Sequence, residues 1–337
     1  MTQIGKRVIY METGSTNPAF NLAYEEYVLK NRREGTVLIL WQNANAIIVG
    51  RNQDTEAEIN REMVDRLGIQ VIRRETGGGA VYHDLGNINY SFITDLGNPE
   101  DLHLKLFAEP IVRALGELGI RAEVSGRNDI VIDDRKVSGT AQRIENGRIL
   151  HHGTLLFRSD LAKIQDVLRV DPLKMRGKKS TSVKSRIGNI ADYLSCSMDV
   201  TEFMKHLKRS LAGEDAIPAT LDFRERNEVQ KIMRDKYSRR EWNTGKTFRA
   251  GFRRKKRWDG GILEVAAQID GGRICKIRFI GDFLSRRPND DLCSALEGHR
   301  FDMEECREVL TGFMLEDLFG SIEAEEILDT MFSEESE

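Results

Sequence analysis

A chain of 337 residues, 40% hydrophobic and 31% charged, is long enough for one large domain and a smaller one and is able to bury a core. A net charge of −3 gives no global reason to expect nucleic acid or an anionic membrane as partner. The four cysteines, Cys196, Cys275, Cys293 and Cys306, show no CxxC spacing, and no stretch approaches about 18 apolar residues, so neither a disulfide framework, a zinc signature nor a membrane span is expected.

The N-terminus lacks the apolar core of a signal peptide, and the expected location is cytoplasmic. Residues 7–11 read as a short strand. Asn17-Pro18 has the form of an N-cap followed by proline at the first helical position, and Phe20, Ala23, Tyr27 and Val28 recur at helical spacing. A helix with one face on a core is predicted. The runs TVLILW and AIIVG, parted by Gln42 to Asn45, suit strands buried on both faces. Asp54 is placed to cap a helix lined by Ile59, Met63 and Leu67 and stopped by Gly68. Residues 102–118 read as helical, with a break expected at Pro110. Asn146-Gly147 between VSGTAQRI and RILHHGTLLF is a hairpin signal. The basic stretch 171–190, DPLKMRGKKSTSVKSRIGNI, is aperiodic and reads as a long surface loop. Helices over roughly 200–212 and 223–237 come next. Composition shifts near Trp242-Asn243-Thr244-Gly245. Beyond it, three strands joined at Gly260-Gly261 and Gly271-Gly272, then two or three helices between 289 and 331, make a small α+β domain.

The chemistry is concentrated in a few blocks. In IRRETGGGAVYHDLGN, three consecutive glycines allow close backbone approach and φ > 0, and Arg73 and Arg74 supply charge suited to a phosphate or carboxylate. An ordinary glycine-rich turn with solvated arginines is the competing reading. Lys136, in DRKVSGTA, suits a fixed point charge that stabilises a developing anion, though an exposed edge lysine fits as well. Asn128 and Asp129 offer a polar contact and a metal-facing carboxylate, or merely an Asx turn. His83, His151 and His152 fit ligands or bases, but a structural hydrogen-bonding role explains each, and no third metal ligand falls at a suggestive spacing. Gly245-Lys246-Thr247 resembles the end of a P-loop, yet Arg240 occupies the required upstream glycine position; GxGxxG and GxSxG are absent.

Taken in order, FNLAYEE, LWQNANAIIVGRNQ, RRETGGGAVYHDLGN, SGRNDI…DRKVSGTAQR, HHGTLLF and TSVKSRIGNI closely resemble lipoate–protein ligases of the LplA type, over about the first 245 residues. The EWN junction and the domain beyond it also fit the two-domain members. The resemblance implies an α/β (α+β) chain: a catalytic domain over 1–245, with mixed β-sheets flanked by helices as in the biotin/lipoate–protein ligase fold, and a small accessory α+β domain over 248–337. It implies activation of lipoate by Mg-ATP to lipoyl-AMP with release of pyrophosphate. Transfer to a lysine of a lipoyl domain comes second, on a 2-oxo-acid dehydrogenase E2 subunit or the glycine-cleavage H protein, with no nucleic acid or membrane involved and a monomer as the expected state. Carried over residue by residue, it assigns Lys136 to catalysis and to both acyl and nucleotide contacts. Arg74, Gly77, Gly78, Gly79, Ala80, Val81, Tyr82, Asn87, Asn128, Asp129, Thr140, Lys178, Ser182 and Arg186 fall on the adenylate. Arg74, Gly79, His83, His152 and Gly153 fall on the lipoate, and Asp129 on a magnesium ion.

Ile47, Ile48, Val71 and Val81 are expected either to wall an acyl slot or simply to fill a core. The loop at 178–188 resembles one that closes over the adenylate, and the small domain is expected to pivot about residues 243–250. The run Arg253-Arg254-Lys255-Lys256-Arg257 reads as an exposed strand face or a docking patch for an acidic lipoyl domain. Glu75-Thr76 departs from the small hydroxyl pair of many relatives, which leaves the place of Glu75 beside a phosphate site open, and relatives vary at Gln142. Transferases of the same fold pass the acyl group through a cysteine thioester near the segment that here reads SGRNDI; residues 1–195 hold no cysteine, and such transferases generally lack the second domain. A non-catalytic lipoyl-domain-binding relative is the remaining alternative.

Overall fold

The computed structural model describes residues 8–97, 104–126, 128–169, 171–175, 186–245 and 250–333. In chain order the first part holds β1 (Ile9–Glu12), α1 (Pro18–Asn31), β2 (Val37–Trp41), β3 (Ala46–Val49), α2 (Thr55–Glu58), α3 (Arg61–Arg66), β4 (Gln70–Arg73), β5 (Val81–His83) and β6 (Asn87–Asp95). Next come α4 (Leu104–Gly116), β7 (Glu123–Ser125), β8 (Asp129–Ile132), β9 (Arg135–Glu145), β10 (Arg148–Leu156), α5 (Leu161–Val167) and α6 (Pro172–Met175). The block ends with α7 (Val200–Ala212), β11 (Ile217–Pro218), α8 (Phe223–Ile232) and α9 (Arg240–Thr244).

Eight strands form one sheet in the order β11-β1-β2-β6-β10-β9-β8-β7, parallel among β11, β1 and β2 and antiparallel beyond. A second sheet, β4-β3-β5, pairs β3 parallel to β4 and antiparallel to β5. Leu38, Leu40, Tyr90 and Phe92 point from the large sheet to a core shared with residues of α4 and α7. From its other face Val37, Ile39, Trp41, Ile93 and Leu150 meet α1 together with Ala46, Ile48 and Ile72 of the small sheet. Alternation along β3 sends Ile47 and Val49 to a further core with Val64, Tyr82, Ile164 and Val167. Strands β2 and β3 are thus buried throughout, as the uniformly apolar runs predict.

Helix α1 starts where predicted, with the Asn17 side chain accepting from the amides of Ala19 and Phe20 and Pro18 in the first turn. Its burial corrects the one-faced expectation: Asn21, Glu25 and Glu26 are also buried, because α1 is surrounded by both sheets and α8. The helix predicted after Asp54 is two short ones, since Ile59 leaves helical geometry to bridge Leu168, and Asn60 caps the second. Helix α4 runs through Pro110 without a break. The hairpin at Asn146-Gly147 forms with φ of 50° and 73°, the signs a two-residue turn of this kind requires.

Residues beyond 250 build a separate core. Strands β12 (Phe252–Trp258), β13 (Gly261–Asp270) and β14 (Arg273–Gly281) form an antiparallel sheet. Over one face lie four short helices, more than the two or three expected: α10 (Asp290–Leu296), α11 (Met303–Thr311), α12 (Leu315–Phe319) and α13 (Ala324–Phe332). The segment Phe283–Arg286 straps this unit to the rest. Its carbonyls accept from Gly78 N (Phe283 O, 3.0 Å) and Ile144 N (Arg286 O, 2.9 Å), and Ser285 Oγ accepts from Asn52 Nδ2 at 2.9 Å.

The basic run on β12 is not an unoccupied patch. Arg254 and Lys256 turn to the C-terminal end of α13, where they bond the Met331 carbonyl and the Asp329 carboxylate. On the opposite rows Arg253 pairs with Glu264, Lys255 with Asp171, and Arg257 donates to the Leu173 carbonyl.

Candidate active site

A cavity lies where the glycine turn before β5 faces β9 and β10. Leu22, Trp41, Ile48, Ala80, Val81 and Ala141 give it apolar walls, and Arg74, His83, Asn89, Asn128, Lys136 and His152 bring polar groups. Of the predicted residues, Gly78, Gly79, Thr140 and Gly153 also line it. Of the four aliphatic candidates, Ile48 and Val81 wall the cavity while Ile47 and Val71 face away into the core with Tyr82.

Lys136 reaches the cavity because β9 is irregular. Ile130 pairs with Ser138 but Val131 with Lys136, so Val137 is an extra residue. Strict alternation would put Lys136 and Gly139 on opposite faces; the bulge brings them together. The Lys136 side chain lies back over Gly139, where a Cβ would come 2.9 Å from Nζ. Nζ is 2.7 Å from Asp129 Oδ1, in a pair about one-third exposed. Backbone bonds from Lys136 N to Arg186 O (2.7 Å) and from Gly188 N to Lys136 O (3.0 Å) add the segment 186–188 alongside. Asn128 spans the same end, its Nδ2 donating to Thr140 O at 2.8 Å.

The two arginines correct both the solvated alternative and, for Arg73, the expectation of a charge offered to an anion, for both are buried clamps on protein acceptors and only Arg74 lines the cavity. Arg73 donates to the carbonyls of Gly50, Arg51, Gln53 and Trp242, while its own backbone N–H bonds Asn243 Oδ1 and its carbonyl accepts from Trp242 Nε1. Arg74 holds the glycine turn, with Nε on Thr76 Oγ1 (2.9 Å), Nη1 on Ile48 O (3.1 Å) and Nη2 on the carbonyls of Gly77 (2.6 Å) and Gly79 (2.9 Å). Burial lowers both guanidinium pKa values to about 10, leaving them charged at neutral pH.

The glycine cradle is likewise only partly open to a ligand. Gly77 N and Gly78 N donate to Ser285 O and Phe283 O of the small domain, and Gly77 does not line the cavity. Tyr82 also turns away, its hydroxyl donating to Asn45 Oδ1 at 3.0 Å. Asn87 is fully buried behind Asn89, to whose Oδ1 it donates at 3.1 Å. Arg186 contributes its backbone carbonyl to Lys136, and Lys178 and Ser182 lie outside the described residues.

Glu75 turns out of the cavity, which resolves its place. It pairs with Arg51 (2.6 Å), Arg143 (2.8 Å) and Lys236. Burial alone would raise its pKa, but Lys236, Arg51 and Arg143 bring it below the ordinary carboxylate value. Gln142 also faces away, contacting His151 Nδ1 at 3.4 Å while Ala141 lines the cavity.

Sequence reasoning missed a buried relay behind the wall. His152 Nε2 is 2.9 Å from Thr76 Oγ1, and its Nδ1 is 3.0 Å from both oxygens of Glu25. Ser91 Oγ donates to Glu25 at 2.5 Å and accepts from Trp41 Nε1 at 2.9 Å. Because the Glu25 carboxylate only accepts, His152 carries a proton on Nδ1, while the Thr76 hydroxyl, which accepts from Arg74 and keeps a second lone pair and its own proton, meets Nε2. The signal for it was the acidic pair in FNLAYEE, which helical spacing assigns to solvent.

Comparisons with known proteins identify the family. Residues 17–212 match the model of the lipoyl protein ligase A/B catalytic domain, and residues 247–331 that of the bacterial lipoate protein ligase C-terminus. Lipoate–protein ligase 1 of Staphylococcus aureus strain Mu50 is 38% identical over 318 residues, covering 94% of this chain and 97% of its own. A solved lipoate–protein ligase A bound with ATP is 27% identical, with a TM-score of 0.61 over 71% of this chain and 98% of its own. A bipartite lipoate protein ligase from Thermoplasma acidophilum, studied with its E2 lipoyl domain, is 28% identical with a TM-score of 0.62 over 73% of this chain and 98% of its own. The chain belongs to the lipoate–protein ligase family.

Proposed function

We propose that this ligase activates lipoate with Mg-ATP and passes the lipoyl group to a lysine of acceptor lipoyl domains, on E2 subunits or the glycine-cleavage H protein. The observation that carries the reading is Lys136, whose Nζ is folded over Gly139 at the more exposed end of a largely apolar cavity. An acyl chain fits the apolar part, with its carboxylate toward Lys136. In the first step a carboxylate oxygen attacks the α-phosphorus and pyrophosphate leaves. In the second the acceptor amine attacks the acyl carbon, AMP leaves and the amine loses a proton.

Neither step needs a protein nucleophile. Lys136 neutralises charge on the carboxylate and α-phosphate, and Arg74 acts chiefly by fixing the turn against which they lie. The adenylate is assigned to Gly78, Gly79, Ala80, Val81, Asn128 and Thr140, and by resemblance alone to Lys178, Ser182 and Arg186. The lipoate is assigned to His83, His152 and Gly153. Among the described residues no three His, Cys, Asp or Glu side chains gather as a metal site. Asp129, the carboxylate beside Lys136, suits a magnesium ion that keeps phosphate and water oxygens as its other ligands. Residues 1–245 are proposed as the catalytic unit and 248–337 as the accessory unit of a cytoplasmic monomer. Among the described residues no helix is long and apolar enough to cross a membrane.

The test is lipoate-dependent ATP–pyrophosphate exchange. Lys136→Ala is expected to keep the fold, with a stability change of about 0.5 kcal/mol for so exposed a lysine, and to lose most exchange. Near-normal exchange would remove Lys136 from the mechanism. Absence of exchange in the unaltered protein, with acyl transfer from an octanoylated donor protein, would overturn the ligase reading.

A further inference from the structure

His83 carries a feature that the transfer chemistry does not use. Its ring is 3% exposed and lines the cavity, and Nε2 has no hydrogen-bond partner among the described residues. The position of its proton follows from a chain of amides. Asn21 Nδ2 lies 3.0 Å from Ser15 O and 2.8 Å from Gln42 O, both of which only accept, so the nitrogen of this amide is identified. A flipped Asn43 would set two amide nitrogens 2.9 Å apart, so its Oδ1 faces Asn21 and its Nδ2 donates to His83 Nδ1 at 3.0 Å. Nδ1 therefore accepts, and the neutral ring carries its proton on Nε2. Burial, with Arg74 and His152 close by, lowers the His83 pKa to about 3, so the ring stays in this form near neutrality.

Arg74 and His152 lie near the ring, and the cavity wall packed on it is apolar and closed. The Trp41 ring meets His83 edge-on at 6.5 Å, and Leu22 and Trp41 are 2% and 4% exposed. Trp41, Asn89, Thr154 and Gly139 lie in one row across β2, β6, β10 and β9, so Lys136 Nζ, folded over Gly139 and 37% exposed, stands about three strand spacings (~14 Å) from Trp41, at the more open end. A chain whose carboxylate sits at Lys136 directs its distal end toward His83. There a plain alkyl chain would bury the N–H against carbon, whereas a sulfur atom offers a weak acceptor.

We infer that His83 Nε2–H is a selectivity donor, which favours acyl chains bearing sulfur at their distal end over alkyl chains of similar length. This rests on the ligase reading above and deepens it. A pocket built to hydrogen-bond its substrate discriminates against the analogue lacking the partner. A weak sulfur acceptor reduces that to about 10-fold in kcat/KM for lipoate over octanoate.

The experiment measures ATP–pyrophosphate exchange with lipoate and with octanoate for the unaltered protein, His83→Phe and His83→Gln, with melting temperature as a check on folding. In His83→Phe, kcat/KM for lipoate is expected to fall several-fold more than for octanoate, bringing the ratio toward one. His83→Gln, which restores an N–H donor, is expected to recover part of the preference. The ratio does not depend on the fraction folded, so a merely structural role would lower both activities together and leave it unchanged. An unchanged ratio in His83→Phe, or no lipoate preference in the unaltered protein, overturns the inference while leaving the ligase reading intact. No exchange with either acid defeats the ligase reading and this inference with it.

Discussion

The three consecutive glycines are needed for three different reasons. A Cβ on Gly77 would lie 2.5 Å from Ser285 N and 2.6 Å from Phe283 O, so its absence admits the small domain. Gly78 has φ of +88°, a conformation side chains disfavour, and its carbonyl meets Gly50 so closely that a Cβ there would come to 1.9 Å. Around Gly79 a Cβ meets nothing within 4 Å, and the residue lines the cavity. Gly77→Ala is therefore expected to loosen the strap, costing about 1–3 kcal/mol as overpacking does. It should lower the melting temperature and expand the scattering profile. Gly79→Ala should leave both unchanged while weakening nucleotide or acyl binding, read as a raised KM in exchange.

At the scale of elements, what was legible followed from strong local rules. The Asn146-Gly147 turn, the Asn17-Pro18 cap and the strands β12 to β14 each rest on residues whose backbone or pattern has one natural outcome. The bulge at Val137 was not legible, because a β-branched residue in an alternating run looks like regular strand. The burial of Glu25 and Glu26 was hidden for a related reason: helical spacing assigns carboxylates to water, whereas partners from elsewhere in the fold, His152 and Ser91 for Glu25 and Lys236 and Tyr237 for Glu26, make their burial tolerable. Lys136 stands out in DRKVSGTA as a candidate fixed charge and takes its catalytic assignment from the resemblance, whereas its geometry depends on pairing between β8 and β9. As an element-scale prediction, replacing Asn146 and Gly147 together by alanine should cost about 1–3 kcal/mol per left-handed residue. Urea unfolding would show the loss, with exchange at 25 °C largely retained because the turn does not line the cavity.

For the whole molecule, charge burial sets a sensitivity to acid. His83 and His151 titrate near 6.5 when unfolded, but burial, with His152 nearby, holds both at about 3 in the folded state. Between those values the unfolded chain binds more protons, so stability falls as the pH drops below 6.5. At pH 5 this amounts to about 2 kcal/mol for each ring. Glu26 adds a second phase. Burial would raise its pKa, but Lys236, Lys30 and Tyr237 hold it at about 2, so its stabilisation is present above 4.5 and disappears toward 2. Urea unfolding at pH 7.5 and pH 5 should show the first loss, and His151→Gln should flatten the slope between them. A slope unchanged in that variant would contradict the assignment of His151.

Arg73 and Arg74, adjacent at the end of β4, divide two tasks. Arg73 grips the Trp242-Asn243 junction at the root of the small domain, while Arg74 grips the glycine turn at the reactive cavity. One peptide unit thus serves as a fulcrum with a load on either side. The junction to the small domain and the turn at the cavity therefore hang on consecutive residues, with no chain between the two anchors.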